Sequence, residues 1–399
     1  MEIQWTEVRN VGDVRMGKQL SPAARDAPGH FPYLRVANVH LGRIDYADVN
    51  TMGFTRAERE TYGLKPGDIL LNEGQSLELV GRSAIYDGVE GEFCFQNTLI
   101  RFRPGADVLP AYAQMIFERW LATGAFAAIA KQTTSIAHLG GDRFGALLFP
   151  LIPVAAQWRI VDVVDSVTEL ERGIEASIAK LRSVRQGTLL DFMSRIQPEW
   201  RPVRDLGEVR MGKQLSPDSR AAKQQFPYLR VANVHAGRIN YSDVKTMGFT
   251  KGERSVYGLI PGDILLNEGQ SLELVGRSAI YSDAPGQFFF QNTLVRFRPD
   301  GRVTSEYAQI IFEYWLQAGV FAGIAKKTTS IAHLGGERFA GLDFPLVSLA
   351  EQQALVTAVS ACDTNIATES GELNKLRHLK DGLVDDLLSG RVAAAVMAA

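Results

Sequence analysis

The stretch PGDILLNEGQSLELVGRSAIY spans residues 66–86, and it returns unchanged at residues 261–281. Its short apolar runs are bounded by glycine and asparagine, a pattern that favours β-strands joined by turns. The two copies lie 195 positions apart, and the same offset relates VRMGKQLSP, FPYLRVANVH, FQNTL and TTSIAHLGG to their second copies. Since no gap interrupts this offset, the chain is one unit of 195 residues written twice.

The two copies do not match equally along their length. Residues 11–150 are nearly identical to residues 206–345, whereas residues 155–197 share mainly an apolar pattern with residues 350–392. We therefore expect an α+β protein in which two duplicated mixed α/β domains are each followed by a helical tail. In the first domain the predicted strands are 33–39, 68–71, 77–86 and 93–102, and the predicted helix is 110–130.

Each tail predicts one long amphipathic helix, because its apolar residues recur at spacings of three, four or their sum and no proline interrupts it. The heptad-like stripe favours a helix–helix seam, so we expect the two helices to pair antiparallel as a coiled-coil spacer with pseudo-two-fold symmetry. The alternative is that each stripe packs on its own domain. The predicted seam residues are Val167, Leu170, Ile174, Leu181, Val184, Leu373, Leu376, Leu379, Leu383 and Leu387.

The composition is that of an ordinary globular protein, with 46% hydrophobic and 22% charged residues. The formal net charge of −2 excludes a uniformly basic protein that coats nucleic acid. With Cys94 and Cys362 as the two cysteines, we expect no disulfide framework, no metal site and a cytoplasmic location. We also expect no signal peptide and no contact with a membrane, since no apolar run reaches the roughly 18 residues of a span.

No catalytic motif is present in the sequence. The segment NEGQSLELVGRS lacks the lysine of a phosphate-binding loop, and the six histidines form no HExxH pattern. A GxSxG nucleophile motif is also missing. We therefore expect a non-enzymatic chain without a cofactor of its own.

Four polar loops, each present in both copies, are the candidate functional residues. Arginine, asparagine and glutamine read base edges, whereas lysine, serine and threonine hold phosphates, so the set predicts DNA binding. Any one loop alone could equally be an ordinary solvated turn. The candidate DNA-binding residues are Lys18, Gln19, Arg35, Asn38, Asn72, Gln75, Ser76, Lys131, Thr133, Thr134, Ser135, Lys213, Gln214, Arg230, Asn233, Asn267, Gln270, Ser271, Lys326, Lys327, Thr328, Thr329 and Ser330.

The order of several motifs resembles the specificity subunits of type I restriction–modification systems. The resemblance rests on WTEV at residues 5–8, FPYLRVANV at 31–39, KPGDILL at 65–71 and FQNTLIRFRP at 95–104. It rests further on the exit from the second domain, where FPL leads to AEQQ within residues 344–353. Together these motifs cover essentially the whole chain.

This resemblance implies an organisation of the chain. The implied regions are a target recognition domain at 1–153, a spacer helix at 154–198, a second target recognition domain at 199–348, a second spacer helix at 349–392 and a flexible tail at 393–399. In such proteins each recognition domain reads half of a split site in double-stranded DNA. Because the two domains here are near-duplicates, we expect the two halves to be inverted repeats.

The resemblance also implies partners. The helices would serve as the dock for two modification subunits, which carry S-adenosylmethionine and the catalytic residues, and restriction subunits would join them. Two alternatives remain at this point. Besides a type I specificity subunit, the chain could be a structural adaptor that holds two copies of a protein partner, or an orphan specificity subunit of another phage-defence complex.

Overall fold

The computed structural model describes residues 3–27, 29–132, 135–328 and 331–388. The strands of the first copy are β1 Gln4–Glu7, β2 Gly12–Met16, β3 His30–Leu34, β4 Val39–His40, β5 Arg43–Ile44, β6 Asn50–Gly53, β7 Ile69–Asn72, β8 Gly74–Gln75, β9 Ser83–Ile85, β10 Cys94–Phe95, β11 Leu99–Pro104, β12 Lys131–Gln132, β13 Ala137–His138 and β14 Leu148–Leu151. Its helices are α1 Pro22–Asp26, α2 Arg56–Tyr62, α3 Pro110–Ala122, α4 Ala125–Ile129, α5 Gly141–Gly145 and α6 Val154–Arg195.

The second copy repeats this order element by element. Its strands are β15 Glu199–Pro202, β16 Gly207–Met211, β17 Phe226–Leu229, β18 Val234–His235, β19 Arg238–Ile239, β20 Lys245–Met247, β21 Ile264–Asn267, β22 Gly269–Gln270, β23 Ser278–Ile280, β24 Phe289–Phe290, β25 Leu294–Pro299, β26 Lys326–Lys327, β27 Ala332–His333 and β28 Asp343–Leu346. Its helices are α7 Pro217–Ala221, α8 Lys251–Tyr257, α9 Ser305–Gln317, α10 Val320–Ile324, α11 Gly336–Ala340 and α12 Leu349–Leu388. The predicted α+β fold with a long helix after each globular part is confirmed.

A four-stranded antiparallel sheet in the order β2-β11-β7-β9 is the centre of the first globular part, and β16-β25-β21-β23 repeats it in the second. Strand β7 reads ILLN, and all four residues are buried. Successive side chains point to opposite faces, so Ile69 and Leu71 join the apolar core around Phe102, while Leu70 joins another core around Phe95. Because both faces are covered, the first three residues of the strand are all apolar instead of alternating with polar ones.

Four predicted elements differ from the structure. The strand predicted at 33–39 is interrupted between β3 and β4, and the strand predicted at 93–102 is interrupted between β10 and β11. The strand predicted at 77–86 is shorter, because a turn held by the bond from Gly81 N to Asn72 O (2.9 Å) precedes β9. The helix predicted at 110–130 is divided, since α3 ends at Ala122 and Gly124 follows with a φ of 77° before α4 begins. Glycine adopts this left-handed conformation without strain, which allows the chain to turn there.

A buried glutamine fixes each long helix to its globular part. The Gln157 side chain, fully buried near the start of α6, donates to Ile152 O (2.8 Å) and Asp107 O (2.7 Å) and accepts from Leu109 N (2.8 Å). Gln352 makes the equivalent three bonds near the start of α12. Since all three bonds go to backbone groups outside the helix, they set the direction in which the helix leaves the domain.

The described residues form two compact units, one made of residues 3–174 with 372–388 and the other of residues 175–371. Helix α6 has 42 residues, and α12 has 40. At 1.5 Å per residue, a helix of this size is roughly 60 Å long. Each unit therefore contains one globular part together with a portion of both long helices.

Within each unit the two helix portions pack against each other. In the first unit Val164, near the start of α6, shares an apolar core with Val384, near the end of α12. In the second unit Leu189, near the end of α6, shares a core with Leu355, near the start of α12. The portions therefore run antiparallel in each unit, and the predicted pairing of the helices is confirmed.

The face of the helices that forms this seam differs in part from the prediction. Leu170, Val184 and Leu379 are 60%, 48% and 68% exposed, so they lie outside the seam. Leu373 is buried as predicted, Val167, Ile174, Leu181, Leu376 and Leu383 are half-buried, and the side chain of Leu387 lies outside the described residues.

Next to each of the three exposed residues, a charged residue lies in the seam instead. Each of Glu171, Arg185 and Lys380 lies one residue further along the chain and four residues or fewer from a half-buried seam position. Glu171 pairs with Lys380 (2.9 Å), and Arg185 pairs with Asp363 (2.7 Å). A search for apolar letters alone skips such positions, because it does not allow for a charge whose partner lies on the facing helix.

Candidate nucleic-acid interface

Three of the four polar loops of the first copy meet at the Gln–Asn–Thr turn that follows β10. Asn97 N donates to Lys18 O (3.0 Å), which ties the first loop to this turn. Val36 N donates to Thr98 Oγ1 (3.2 Å), and Glu73 N donates to Thr98 O (2.9 Å). One threonine thus connects the second and third loops through its side chain and its backbone.

The fourth loop joins them through a small three-stranded sheet. Strand β13 pairs with β8 on one side, where Ala137 faces Gln75, and with β12 on the other, where Ala137 faces Gln132. A contact of 3.0 Å between His138 Nδ1 and Glu73 Oε2 adds a side-chain link to the third loop. The exposed side chains of Lys131 and Gln132 therefore lie on the same small sheet as Gln75.

The second copy builds the same surface with the same bonds. Asn292 N donates to Lys213 O (3.0 Å), and Glu268 N donates to Thr293 O (2.9 Å). Val231 N donates to Thr293 Oγ1 (3.1 Å). Strands β22, β27 and β26 form the small sheet. We call this surface, made of the four loops and the turn that connects them, the loop surface of each unit.

The predicted residues that the structure describes are exposed, half-buried or engaged inside their domain. Exposed residues are Gln19, Lys131, Ser135, Gln214, Lys326, Lys327 and Thr328. Half-buried residues are Gln75, Ser76, Gln270 and Ser271. Thr133, Thr134, Thr329 and Ser330 lie outside the described residues.

Lys18 is engaged inside its domain instead of facing solvent. Its Nζ donates to Gly53 O (2.8 Å), pairs with Glu58 (2.7 Å) and lies 4.9 Å from the centre of the Phe54 ring. The hydrogen bond from Lys18 is the main reason why the pKa of Glu58 lies below its ordinary value. Lys213 makes the equivalent contacts in the second copy. Both lysines therefore fasten a helix to the sheet and are not available to a phosphate.

The four predicted asparagines are also internal. Asn38 is 2% exposed; its Oδ1 accepts from Arg35 N (3.0 Å), and its Nδ2 donates to Asp45 O (2.9 Å) and Asp48 O (2.8 Å). Asn233 repeats these bonds in the second copy. Such an amide organises a loop, because both of its N–H groups are used and burial keeps its remaining oxygen lone pair away from a base.

The remaining two asparagines and the two arginines have internal partners as well. Asn72 and Asn267 are fully buried, with their Nδ2 atoms directed at the backbone of β4 and β18. Arg35 pairs with Asp48 (2.6 Å), and Arg230 pairs with Asp243. The arginines remain about a quarter exposed, so they lie at the rim of the loop surface with part of their charge already compensated.

Sequence reasoning missed the residues that assemble the loop surface. Thr98 and Thr293 belong to FQNTL, a stretch that both copies share unchanged but that was interpreted as a strand. It also missed two partly exposed leucines on the turn at 76–82, Leu77 and Leu79, and the equivalent pair on the turn at 271–277, Leu272 and Leu274. The exact repetition of the whole stretch was the signal that could have identified both.

The chemistry of the loop surface is that of recognition. Its amide groups suit base edges, and its ammonium and hydroxyl groups suit phosphates. Its exposed apolar side chains suit thymine methyl groups. Across the part of the chain that the structure describes, no cluster of histidine, cysteine and carboxylate side chains is arranged to hold a metal ion. None of the helices described is both long and apolar enough to span a bilayer.

Comparison with known families gives one match to a family model. The family is described as the type I restriction modification DNA specificity domain, and its match covers residues 198–378, within the second copy of the repeat. The specificity subunit of the type I restriction enzyme EcoKI of Escherichia coli strain K12 is 26% identical over 180 residues, which are 43% of this chain. The chain spans less than half the length of the curated relatives that it matches, 46% and 39%.

Solved structures resemble the whole chain. The crystal structure of a type I restriction–modification S subunit from M. genitalium covers 97% of this chain and 96% of its own, with a TM-score of 0.54 and 14% identity. A chain from a structural study of complex assembly and conformational transition of the type I R-M system covers 97% of both, with a TM-score of 0.61 and 14% identity. At this identity the likeness concerns the fold.

Proposed function

Because residues 198–378 match the type I restriction modification DNA specificity domain and the fold resembles that of solved S subunits, we propose that the chain is a specificity subunit of a type I restriction–modification system. It directs such a complex to a bipartite site in double-stranded DNA. Each recognition domain, 1–153 and 199–348, reads one half of the site through its loop surface. The chain itself is non-catalytic, as this family is. The regions 154–198 and 349–392 act as the spacer.

The observation that carries this proposal is the identical construction of the loop surface in both units. Thr98 and Thr293 make the same bonds, and the same small sheet presents Lys131 and Lys326. Two recognition surfaces built alike select similar sequences, so the two halves of the site are inverted repeats or nearly so. A difference between the halves would come from positions where the surfaces differ, above all Gln132 against Lys327.

Base contacts are assigned to the exposed and half-buried polar residues of the loop surface. Gln19 and Gln75 in the first unit, with Gln214 and Gln270 in the second, carry amides that can pair with adenine. Lysines of β12 and β26, together with neighbouring serines and threonines, contact phosphates. The buried asparagines and the engaged lysines Lys18 and Lys213 hold the loops in place instead.

The proposed assembly contains further subunits. Two modification subunits dock on the chain and supply S-adenosylmethionine and the catalytic residues, and restriction subunits join them in the cytoplasm. Because the modification subunits supply the cofactor, this chain needs none of its own. An orphan subunit that serves another phage-defence complex would use the same DNA-reading surface.

The test is selection of DNA from a random pool by this chain purified together with its modification subunit. We expect a split motif to be enriched, and its affinity to fall steeply between roughly 50 and 200 mM salt, because binding releases the counterions condensed on the DNA phosphates and added salt opposes that release. The modification subunit alone is the control. If the chain enriches no sequence and salt has no effect on its retention, the chain is an adaptor for a protein partner and the proposal is wrong.

A further inference from the structure

An arginine beside the loop surface has no acidic partner. Arg82 ends the 76–82 turn, where its N donates to Leu79 O (3.1 Å) and its O accepts from Asn72 N (2.9 Å), so its backbone is fixed. The side chain is half-buried, and its Nε is shielded from solvent without a hydrogen-bond partner. Burial alone lowers the pKa of this guanidinium, with no contribution from a carboxylate.

The second copy repeats this arrangement. Arg277 also has a shielded, unpartnered Nε, and burial alone lowers its pKa. Other half-buried arginines in the same sheets differ, since Arg103 pairs with Asp68 (2.6 Å) and Arg298 pairs with Asp263 (2.6 Å). Removing a charge from water is unfavourable unless it is compensated, so an uncompensated guanidinium at equivalent places in two units indicates a ligand that is an anion.

A second arginine and a histidine lie near the Arg277 guanidinium, and the first unit carries the same residue types on its equivalent hairpin. The β4–β5 hairpin is held next to the residue that follows Arg82, because Gly42 N donates to Ser83 O (2.9 Å). This hairpin carries His40 and the exposed Arg43. In the second unit, burial and then the charges of Arg277 and Arg238 lower the pKa of His235, which places the three groups together.

The carboxylate closest to the second hairpin is already engaged. Glu313, beside Gly237, accepts from Arg185 (2.8 Å) and from Gln309 (3.1 Å). In the first unit the equivalent Glu118 accepts from Gln114 (2.9 Å). The charge of Glu313 is therefore already compensated by Arg185, so the cationic groups of the second unit keep their attraction for an anion from outside.

We propose that Arg82 and Arg277 each bind a backbone phosphate of the DNA at the edge of the loop surface, with Arg43 and Arg238 as the second cation of each site. The inference rests on the proposed function, since it names the part of the DNA that these residues contact. Two arginines, one at the end of the turn and one on the neighbouring hairpin, suit a phosphate, which carries a full negative charge, better than a base edge, which carries none. The partial burial of Arg82 and Arg277 strengthens such a bond, because a weakly hydrated guanidinium gives up little water.

The experiment measures DNA affinity of the full complex, this chain with its modification subunits, by fluorescence anisotropy over a range of salt. It compares Arg82→Ala, Arg277→Ala and the double variant, on the selected site and on unrelated DNA. Arg56→Ala is the matched control in the first unit, since Arg56 is 89% exposed on α2 away from these hairpins. Lys251→Ala is the equivalent control in the second.

We expect each variant to lose about fivefold to tenfold in affinity on both kinds of DNA, and the slope of log affinity against log salt to fall by about 0.9 per site. Melting temperatures should stay at the wild-type value, because no internal partner is lost. A slope equal to that of the controls overturns the inference, and so does a loss confined to the selected site, which would indicate base reading. If the wild-type complex itself does not bind DNA, the proposed function fails first.

Discussion

At the scale of single residues, side-chain type did not distinguish a reader of bases from a residue that holds a loop. Asn38 and Gln19 are both amides in polar loops, yet Asn38 is buried with three backbone partners and Gln19 is exposed. The two kinds of position differ in burial, which depends on how distant segments meet. The sequence therefore predicted the set of loops but not which side chains in them face outward.

Replacing Asn38 by alanine tests this division. We expect Asn38→Ala to lower the free energy of unfolding by about 2–3 kcal/mol, because three backbone groups lose a buried partner. Chemical denaturation followed by fluorescence measures the change, and Gln19→Ala is the control with no expected loss of stability. Full stability of Asn38→Ala combined with lost DNA binding would place Asn38 in the interface after all.

At the scale of elements, the long helices were predictable because long stretches contain no proline. None occurs between Pro153 and residue 198, and none follows Pro345. Their seam was predictable only in part. The apolar spacing led to Leu170 and Leu379, whereas Glu171 and Lys380, one residue further on, face each other across the seam at 2.9 Å. Which of two adjacent stripes is buried depends on the facing helix, and a single stripe carries no information about it.

Substitutions of two leucines on α12 test which face of the helix is buried. We expect Leu373→Asp to lower the melting temperature markedly, since Leu373 is 7% exposed and the new carboxylate would be buried without a partner, at a cost of about 3 kcal/mol. Leu379→Asp introduces the same group at a position that is 68% exposed and should leave the melting temperature within a degree or two of wild type. Thermal melts followed by circular dichroism compare the two, and equal effects would contradict the assigned seam.

At the scale of the whole molecule, the duplication was fully visible in the sequence, because an offset of 195 residues runs through the chain without a gap. What it did not reveal is that each compact unit draws a portion of its helices from the other half of the chain. A sequence repeat identifies the duplicated segments, whereas the packing of the folded chain determines which of these segments belong to the same compact unit. The two loop surfaces nevertheless share their bonds, so the chain builds the same loop surface twice.

The central claim is that these two surfaces read the two halves of one DNA site. Mapping modified bases across a genome tests it most directly, in cells that express this chain with its modification subunit, against cells that express the modification subunit alone. We predict methylation at a split motif whose halves are inverted repeats or differ at a single position, and that it depends on this chain. A split motif with unrelated halves would contradict the claim that the duplicated surfaces read alike, and methylation without a split motif would contradict bipartite reading itself.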